Sequence, residues 1–208
     1  QDFSKIIENN CFYVDKTAFI KEWWENRDDV TLITRPRRFG KTLIMSMVEQ
    51  FFSVQYADRG DLFHGLSIWK EESYRRLQGT YPVIPLSFAD VKETSFAAAR
   101  EKICRILVEL YDRFRFFLSE SRLAEEDVSP AMSDSAVAYS LKSLSRYLSR
   151  RYGKKVLILL DEYDTPMQEA FVNGYWEEMA ALMRGLFNST FKTNAYLDRA
   201  IMTGITRI

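Results

Sequence analysis

Histidine and cysteine are scarce in this chain of 208 residues, which has one histidine, His64, and two cysteines, Cys11 and Cys104. These residues do not form the spaced cluster that a zinc site requires. Two cysteines also fall short of a disulfide framework, so we expect a reducing, cytoplasmic compartment. No apolar run approaches the roughly 18 residues of a membrane-spanning helix. The sequence therefore predicts neither a zinc centre nor a segment that crosses a membrane.

A net charge is also absent, because 29 Lys and Arg residues balance 29 Asp and Glu residues. No overall field attracts nucleic acid or anionic lipid, so any anion site must be local. The composition is that of a folded domain, with 47% hydrophobic and 28% charged residues. Without repeats or linkers, we expect one domain over residues 1–208. The chain starts at Gln1 and stops in an apolar run, so we expect it to be the N-terminal part of a longer protein.

Strand-like and helix-like segments alternate along the chain. Short, nearly continuous apolar runs predict strands at 30–34, 82–88, 156–160 and 200–205. Apolar residues at steps of three and four predict helices at 18–26, 41–52, 96–118, 134–152 and 176–187. Pro82 and Pro85 place the strand at 82–88 at a sheet edge or a strand start. The alternation predicts an α/β fold in which helices cover both faces of a mostly parallel sheet, a three-layer sandwich.

The loop after the first predicted strand ends in Gly40, Lys41 and Thr42. These three residues match the end of the phosphate-binding Walker A pattern, Gly-x4-Gly-Lys-Ser/Thr. In that pattern the backbone N–H groups at a helix start converge on phosphate, the lysine bridges the β- and γ-phosphates, and the hydroxyl ligates magnesium. We therefore predict that Lys41 binds phosphate and takes part in catalysis, and that Thr42 is a metal ligand. The alternative is that the three residues merely begin a helix.

The first position of the pattern is Arg35 rather than glycine. A glycine there permits a backbone turn that other residues enter at a cost of about 1 kcal/mol, and Pro36 favours an extended Arg35. We expect the loop to turn differently at its start and to keep the Gly40–Thr42 half intact. Cationic side chains in the loop supply a local anion site. The predicted nucleotide-binding residues are Arg37, Arg38, Phe39, Gly40, Lys41 and Thr42.

Two acidic residues, Asp161 and Glu162, end the apolar run at 156–160 as a Walker B pattern would. The carboxyl ends of parallel strands border the crevice where open α/β sheets bind ligands. We predict that Asp161 holds magnesium, through water, and that Glu162 is the catalytic base or orients the attacking water. The alternative for Asp161 is a solvated turn. Asp164, which precedes Thr165 and Pro166, is predicted to cap a helix.

The chain resembles the predicted AAA-ATPase-like family of P-loop NTPases. The resemblance rests on Phe-Tyr-Val-Asp-Lys-Thr at 12–17, Thr-Arg-Pro-Arg-Arg-Phe-Gly-Lys-Thr at 34–42, Leu-Asp-Glu-Tyr-Asp at 160–164 and Thr-Gly-Ile-Thr-Arg-Ile at 203–208. The strand at 82–88 lies between the two site motifs along the chain, and Glu162 follows Asp161. Both features resemble the branch of these proteins that inserts a strand between the phosphate loop and the acidic strand in the sheet.

The resemblance implies ATP as the nucleotide and Mg²⁺ as the metal, with Thr42 and Asp161 as metal ligands. It implies a sensor of the γ-phosphate at the last strand, with Thr203 and Arg207 as candidates. Family members often continue into a nuclease-like C-terminal domain, so an effector domain is expected beyond residue 208. A monomer and a homo-oligomer both remain open. The segment 13–17 lies either near the base or at the sheet edge as a strand and helix cap.

Three functions remain open. The first, which we predict, is magnesium-dependent ATP hydrolysis that drives or gates a downstream domain. The second is a nucleotide-gated switch with little hydrolysis. The third is a protein or nucleic-acid interaction module with a degenerate phosphate loop, in which the backbone phosphates are contacted by Arg35, Arg37, Arg38 and Lys41. Asp161 and Glu162 would repel such a backbone, so nucleic acid is expected only as an indirect partner.

Overall fold

The computed structural model describes residues 2–36, 38–115 and 128–206. The sheet in this part of the chain has four parallel strands in the order β1-β4-β3-β2. The strands are β1 (Val30–Thr34), β2 (Val83–Ser87), β3 (Val156–Asp161) and β4 (Leu197–Gly204). The α-helices are α1 (Phe3–Glu8), α2 (Ala18–Asn26), α3 (Lys41–Phe52), α4 (Glu72–Leu77), α5 (Phe96–Arg115), α6 (Asp134–Tyr152), α7 (Thr165–Asn173) and α8 (Trp176–Phe187).

Each face of the sheet carries its own hydrophobic core. Buried residues of α5 to α8 pack on one face, and those of α1 to α4 pack on the other. The side chains of β3 alternate between them: Ile158 and Leu160 enter the first core, and Leu157 and Leu159 enter the second. Every residue of β3 is buried, which explains its unbroken aliphatic run. The predicted three-layer α/β fold of the P-loop type is confirmed.

The strand between the phosphate loop and the acidic strand is β4. It pairs with β1 on one side and with β3 on the other, so one strand does separate the two motifs, but it is not the strand on which the sequence argument relied. The strand predicted at 82–88 lies instead at the sheet edge as β2, next to β3 alone among the described strands. The two prolines that flank and interrupt this run indicated an edge position, and that prediction is confirmed.

The predicted helices at 18–26, 41–52, 134–152 and 176–187 have the bounds of α2, α3, α6 and α8. The predicted helix at 96–118 corresponds to α5, which is described as far as Arg115, and residues 116–127 lie outside the described ranges. Among the helices in the described ranges, none combines the length and the apolar character needed to cross a membrane.

Candidate functional site

The carboxyl ends of the parallel strands bring the predicted site residues together. The loop between the end of β1 at Thr34 and the start of α3 at Lys41 is called the phosphate loop, after the pattern that it matches. Asp161 is the last residue of β3, and Thr203 lies one residue before the end of β4. Because β4 separates β1 from β3, its end lies between the loop and the acidic pair. The crevice expected at this edge of an open α/β sheet therefore contains all three segments.

The phosphate loop turns at Arg38 and Gly40 rather than at its first residue. These two residues have positive φ angles of 68° and 77°, whereas Arg35 is not among the described residues with positive φ. The Arg35 N–H donates to the Gly204 carbonyl at 3.2 Å and so continues the pairing of β1 with β4. The glycine that the phosphate-binding pattern has at position 35 is therefore not needed for this backbone path. A left-handed Arg38 costs about 1 kcal/mol, which the loop contacts must offset.

The Lys41 ammonium folds back onto the start of its own loop. Its Nζ donates to the carbonyl oxygens of Arg35 at 2.7 Å and Pro36 at 3.0 Å, and the residue is 6% exposed. An ammonium group has three protons, so one remains for a phosphate oxygen. The contact with residue 35 uses its backbone carbonyl, which every residue type supplies. This geometry explains how an arginine can occupy the first position of the pattern.

Asp161 connects the phosphate loop to β4. The Thr42 hydroxyl donates to Oδ2 of Asp161 at 2.8 Å, and the Thr203 hydroxyl donates to Oδ1. Because the Thr42 hydroxyl directs its proton to the carboxylate, the lone pairs of the hydroxyl oxygen are available to a metal ion. Hydroxyl, carboxylate and water oxygens are the ligands that Mg²⁺ prefers, so the residues present fit that ion. Both carboxylate oxygens of Asp161 thus accept a hydrogen bond from a threonine hydroxyl, and its predicted contact with magnesium through water stays a prediction.

A cavity of about 470 Å³ adjoins Thr42 and Asp161. Thr42, Ser87 and Asp161 line one part of it, and Glu49 and Arg113, which form an ion pair, line another. Burial raises the pKa of the Glu49 carboxyl, although the charge of Arg113 opposes this shift. The cavity leaves room for water beside Thr42 and Asp161.

Glu162 has a strained backbone immediately after β3. Its φ angle is +51°, a left-handed conformation that costs a residue with a side chain about 1–2 kcal/mol. The Glu162 N–H donates to the Thr203 hydroxyl at 3.3 Å, and its Oε2 accepts from the Thr165 hydroxyl at 3.2 Å. Such outliers persist where surrounding contacts enforce them, often at functional sites. The half-buried carboxylate of Glu162 is therefore held at the crevice with a defined orientation.

The predicted cap role of Asp164 is wrong for its side chain. Asp164 precedes α7, but its carboxylate makes no capping hydrogen bond to that helix. Its Oδ2 instead accepts from the backbone N–H groups of Ile205 and Thr206 and from the Thr206 hydroxyl, each at 2.8 Å. The residue is 1% exposed. The competing partners at the end of β4 are distant in sequence, so the local cap pattern does not reveal them.

The remaining predicted site residues differ in their exposure and in their distance from the acidic pair Asp161 and Glu162. Arg38 and Phe39 are exposed on the loop, whereas Arg37 and Arg207 lie outside the described ranges. Thr203 is fully buried and contacts the acidic pair directly. Sequence reasoning missed one further cation, Lys16, whose ammonium lies against Gly40. The sequence signal for it was its place in the segment 13–17, for which a position near the base was one expectation.

Together, the parallel sheet, the phosphate loop after β1 and the acidic pair after β3 define an α/β protein of the P-loop type. The chain belongs to the family described as Predicted AAA-ATPase, whose profile matches residues 1–208. It is similar to the "Uncharacterized protein in vnfD 5'region" of Azotobacter chroococcum mcd 1, with 25% identity over 209 residues. That alignment covers 100% of this chain and 36% of the relative, so the chain spans about a third of the relative's length. No solved structure matches the chain.

Proposed function

We propose that this chain binds ATP with magnesium at the phosphate loop and hydrolyses it with the acidic pair. The observation that carries this proposal is the hydrogen bond between Thr42 and Asp161, at 2.8 Å, across 119 positions of the sequence. It joins the predicted metal ligand of the phosphate loop to the predicted metal-binding carboxylate. Two motifs that meet in this way support one site rather than two unrelated patterns.

The phosphate loop would hold the triphosphate. Gly40 has the positive φ that lets the backbone turn into α3, whose first N–H groups lack helix partners and attract phosphate. Lys41 keeps one ammonium proton for the β- and γ-phosphates. A bound magnesium ion would neutralise charge on these phosphates. Thr42 would contribute its hydroxyl oxygen and Asp161 would accept hydrogen bonds from metal-bound water.

Glu162 would accept the proton of the attacking water. Its carboxylate is half-buried, and the Thr165 hydroxyl fixes one of its oxygens. Thr203 would act as the sensor through its hydrogen bonds to Asp161 and Glu162, and Arg207 remains a second candidate. Asp164 would pass a change at the acidic pair to Ile205 and Thr206, which its carboxylate holds. This connection supports the gating of a segment that follows β4.

Calorimetry and phosphate release on the full chain test these roles. Lys41→Ala should abolish Mg·ATP binding, because it removes the ammonium that reaches the phosphates. Glu162→Gln should keep binding and lower turnover about 100-fold or more, the usual contribution of a general base. Lys5→Ala, which removes a charge from an exposed position in α1, is the control. Unchanged affinity in Lys41→Ala would refute the site, and normal turnover in Glu162→Gln would refute its role as base.

The other predicted functions and partners keep the status of predictions. A nucleotide-gated switch would bind ATP as tightly and release little phosphate even in the whole protein. An interaction module would bind nucleic acid in a salt-dependent manner without a response to ATP. The nuclease-like C-terminal effector domain, the homo-oligomer and the cytoplasmic location stay predictions.

A further inference from the structure

The Lys16 side chain reaches the phosphate loop from a different part of the chain. A Cβ atom built on Gly40 would lie 3.5 Å from the Nζ of Lys16. Since a C–C bond is about 1.5 Å long, Nζ lies within about 5 Å of the Gly40 Cα. Gly40 precedes the first residue of α3. The ammonium of Lys16 is therefore beside the helix start where the proposed site would hold phosphate.

The backbone around Lys16 is fixed on both sides. The Asp15 carboxylate accepts from the Thr17 N–H at 2.8 Å, the Thr17 hydroxyl at 2.7 Å and the Ser67 N–H at 2.7 Å. The Lys16 N–H donates to the Tyr13 hydroxyl at 3.2 Å, and that hydroxyl donates to the Met47 sulfur at 3.3 Å. Thr17 is fully buried. These contacts attach the backbone on either side of Lys16 to α3 and to Ser67. The path of this backbone therefore does not depend on a ligand.

The charge balance at Gly40 favours an anion. Over residues 2–36, 38–115 and 128–206, the Lys16 ammonium has no ion pair or hydrogen bond. The loop that it faces also contains Arg35, Arg38 and Lys41. Several cations near one helix start repel each other and are stabilised by a polyphosphate, which accepts charge-assisted hydrogen bonds. Lys16 is exposed, so its ammonium is accessible to a ligand from solvent.

We propose that Lys16 is a second phosphate-binding cation of this site, a role that rests on the proposed ATP function. Lys41 approaches the phosphates from within the loop, and Lys16 approaches from the segment before α2. The ligand class is a nucleoside di- or triphosphate, because a monophosphate at the loop offers fewer oxygens to a second cation. Asp15 is then a positioning residue, which sets the direction of Lys16 through Thr17 and Ser67.

Calorimetry with Mg·ATP and with AMP on the full chain tests this proposal. Lys16→Ala should weaken ATP binding about tenfold or more, the value of one hydrogen bond to a charged group. AMP affinity should change less than twofold, and Lys16→Arg should recover most of the ATP affinity. Lys5→Ala, with the same loss of charge, should bind ATP within twofold of the wild type. Thermal unfolding midpoints of all variants show whether the fold is retained.

Three results would overturn the proposal in distinguishable ways. ATP affinity that is unchanged in Lys16→Ala but lost in Lys41→Ala would remove Lys16 from the site and leave the proposed function intact. Equal losses for ATP and AMP, together with a lower unfolding midpoint, would assign Lys16 a structural role. Absence of nucleotide binding by the wild type would refute both the proposed function and this inference.

Discussion

Replacement of Thr203 by valine tests the connection between the acidic pair and the last strand. Thr203 is fully buried at the end of β4, and its hydroxyl has partners on both sides. It donates to Asp161 Oδ1 and accepts from the Glu162 N–H. Valine has nearly the same shape but no hydroxyl. Thr203→Val therefore removes two hydrogen bonds and leaves a carboxylate oxygen and an N–H without these partners.

The expected loss in the free energy of unfolding follows from these two hydrogen bonds. The bond to the ionised Asp161 is charge-assisted and contributes about 1.5–3 kcal/mol, and the weaker bond from the Glu162 N–H contributes about 1 kcal/mol. The sum is about 3 kcal/mol of the free energy of unfolding. At about 2–4 °C per kcal/mol for a chain of this size, the unfolding midpoint should fall by about 6–12 °C.

Differential scanning calorimetry measures this shift. Thr203→Ser is the matched control, because it keeps the hydroxyl and loses one methyl group, at a cost of about 1 kcal/mol. The valine variant should also lose ATP turnover, since both members of the acidic pair lose a positioning contact. A valine variant that unfolds at or above the midpoint of the serine variant would refute the reasoning, because the hydroxyl would then contribute no more to stability than the methyl group, about 1 kcal/mol, instead of about 3 kcal/mol.

Two further substitutions test other contacts near the site. Gly204→Ala should lower the free energy of unfolding by about 1–3 kcal/mol through overpacking, because its Cβ would lie 2.7 Å from an Asp164 oxygen. The control is Gly153→Ala, which has open space around it and should lower the free energy of unfolding by about 1 kcal/mol. Urea denaturation measures both values. Burial tends to raise the pKa of Asp15, but its hydrogen bonds lower the value below 3.8. Its contribution to stability is therefore present above pH 3.8 and lost as pH falls through the lowered pKa. The difference in unfolding free energy between wild type and Asp15→Asn should shrink from pH 7 to pH 3, and a constant difference would contradict this.

Local patterns predicted those elements whose ends are marked by local chemistry. The helix at 41–52 begins after Gly40, and the helix at 134–152 ends before Gly153, where the left-handed backbone favours glycine. The start of β4 was predicted at residue 200 but lies at Leu197. Arg199 interrupts the apolar run, and its guanidinium lies 4.0 Å from the Trp24 ring centroid and donates to the Trp24 carbonyl. A charge stabilised by a distant aromatic residue cannot be recognised from neighbours in the sequence.

In the candidate site, too, the residues that belong to local sequence patterns were predictable, and the contacts between distant segments were not. Gly40, Lys41, Thr42 and Asp161 belong to patterns with known roles, and the parallel sheet brings the ends of their strands to one edge. The contacts of Asp164 with residues 205–206 and of Lys16 with Gly40 join segments that no periodicity relates. For Asp164 the local pattern indicated a helix cap, because Asp before Thr-Pro is typical of one. Its Oδ2 accepts from the distant residues 205 and 206 instead.

The sheet order gives a physical reason for the separation of charge in this neutral chain. Adjacent strands lie about 4.8 Å apart, so β1 and β3, with β4 between them, are about 10 Å apart. The cations Lys16 and Lys41 lie on the β1 side, and the acids Asp161 and Glu162 lie at the end of β3. Like charges are thereby kept together, which is unfavourable without ligands of opposite sign. A triphosphate over the cations and a metal ion beside the acids would relieve both repulsions, with the end of β4 beneath the point where they meet.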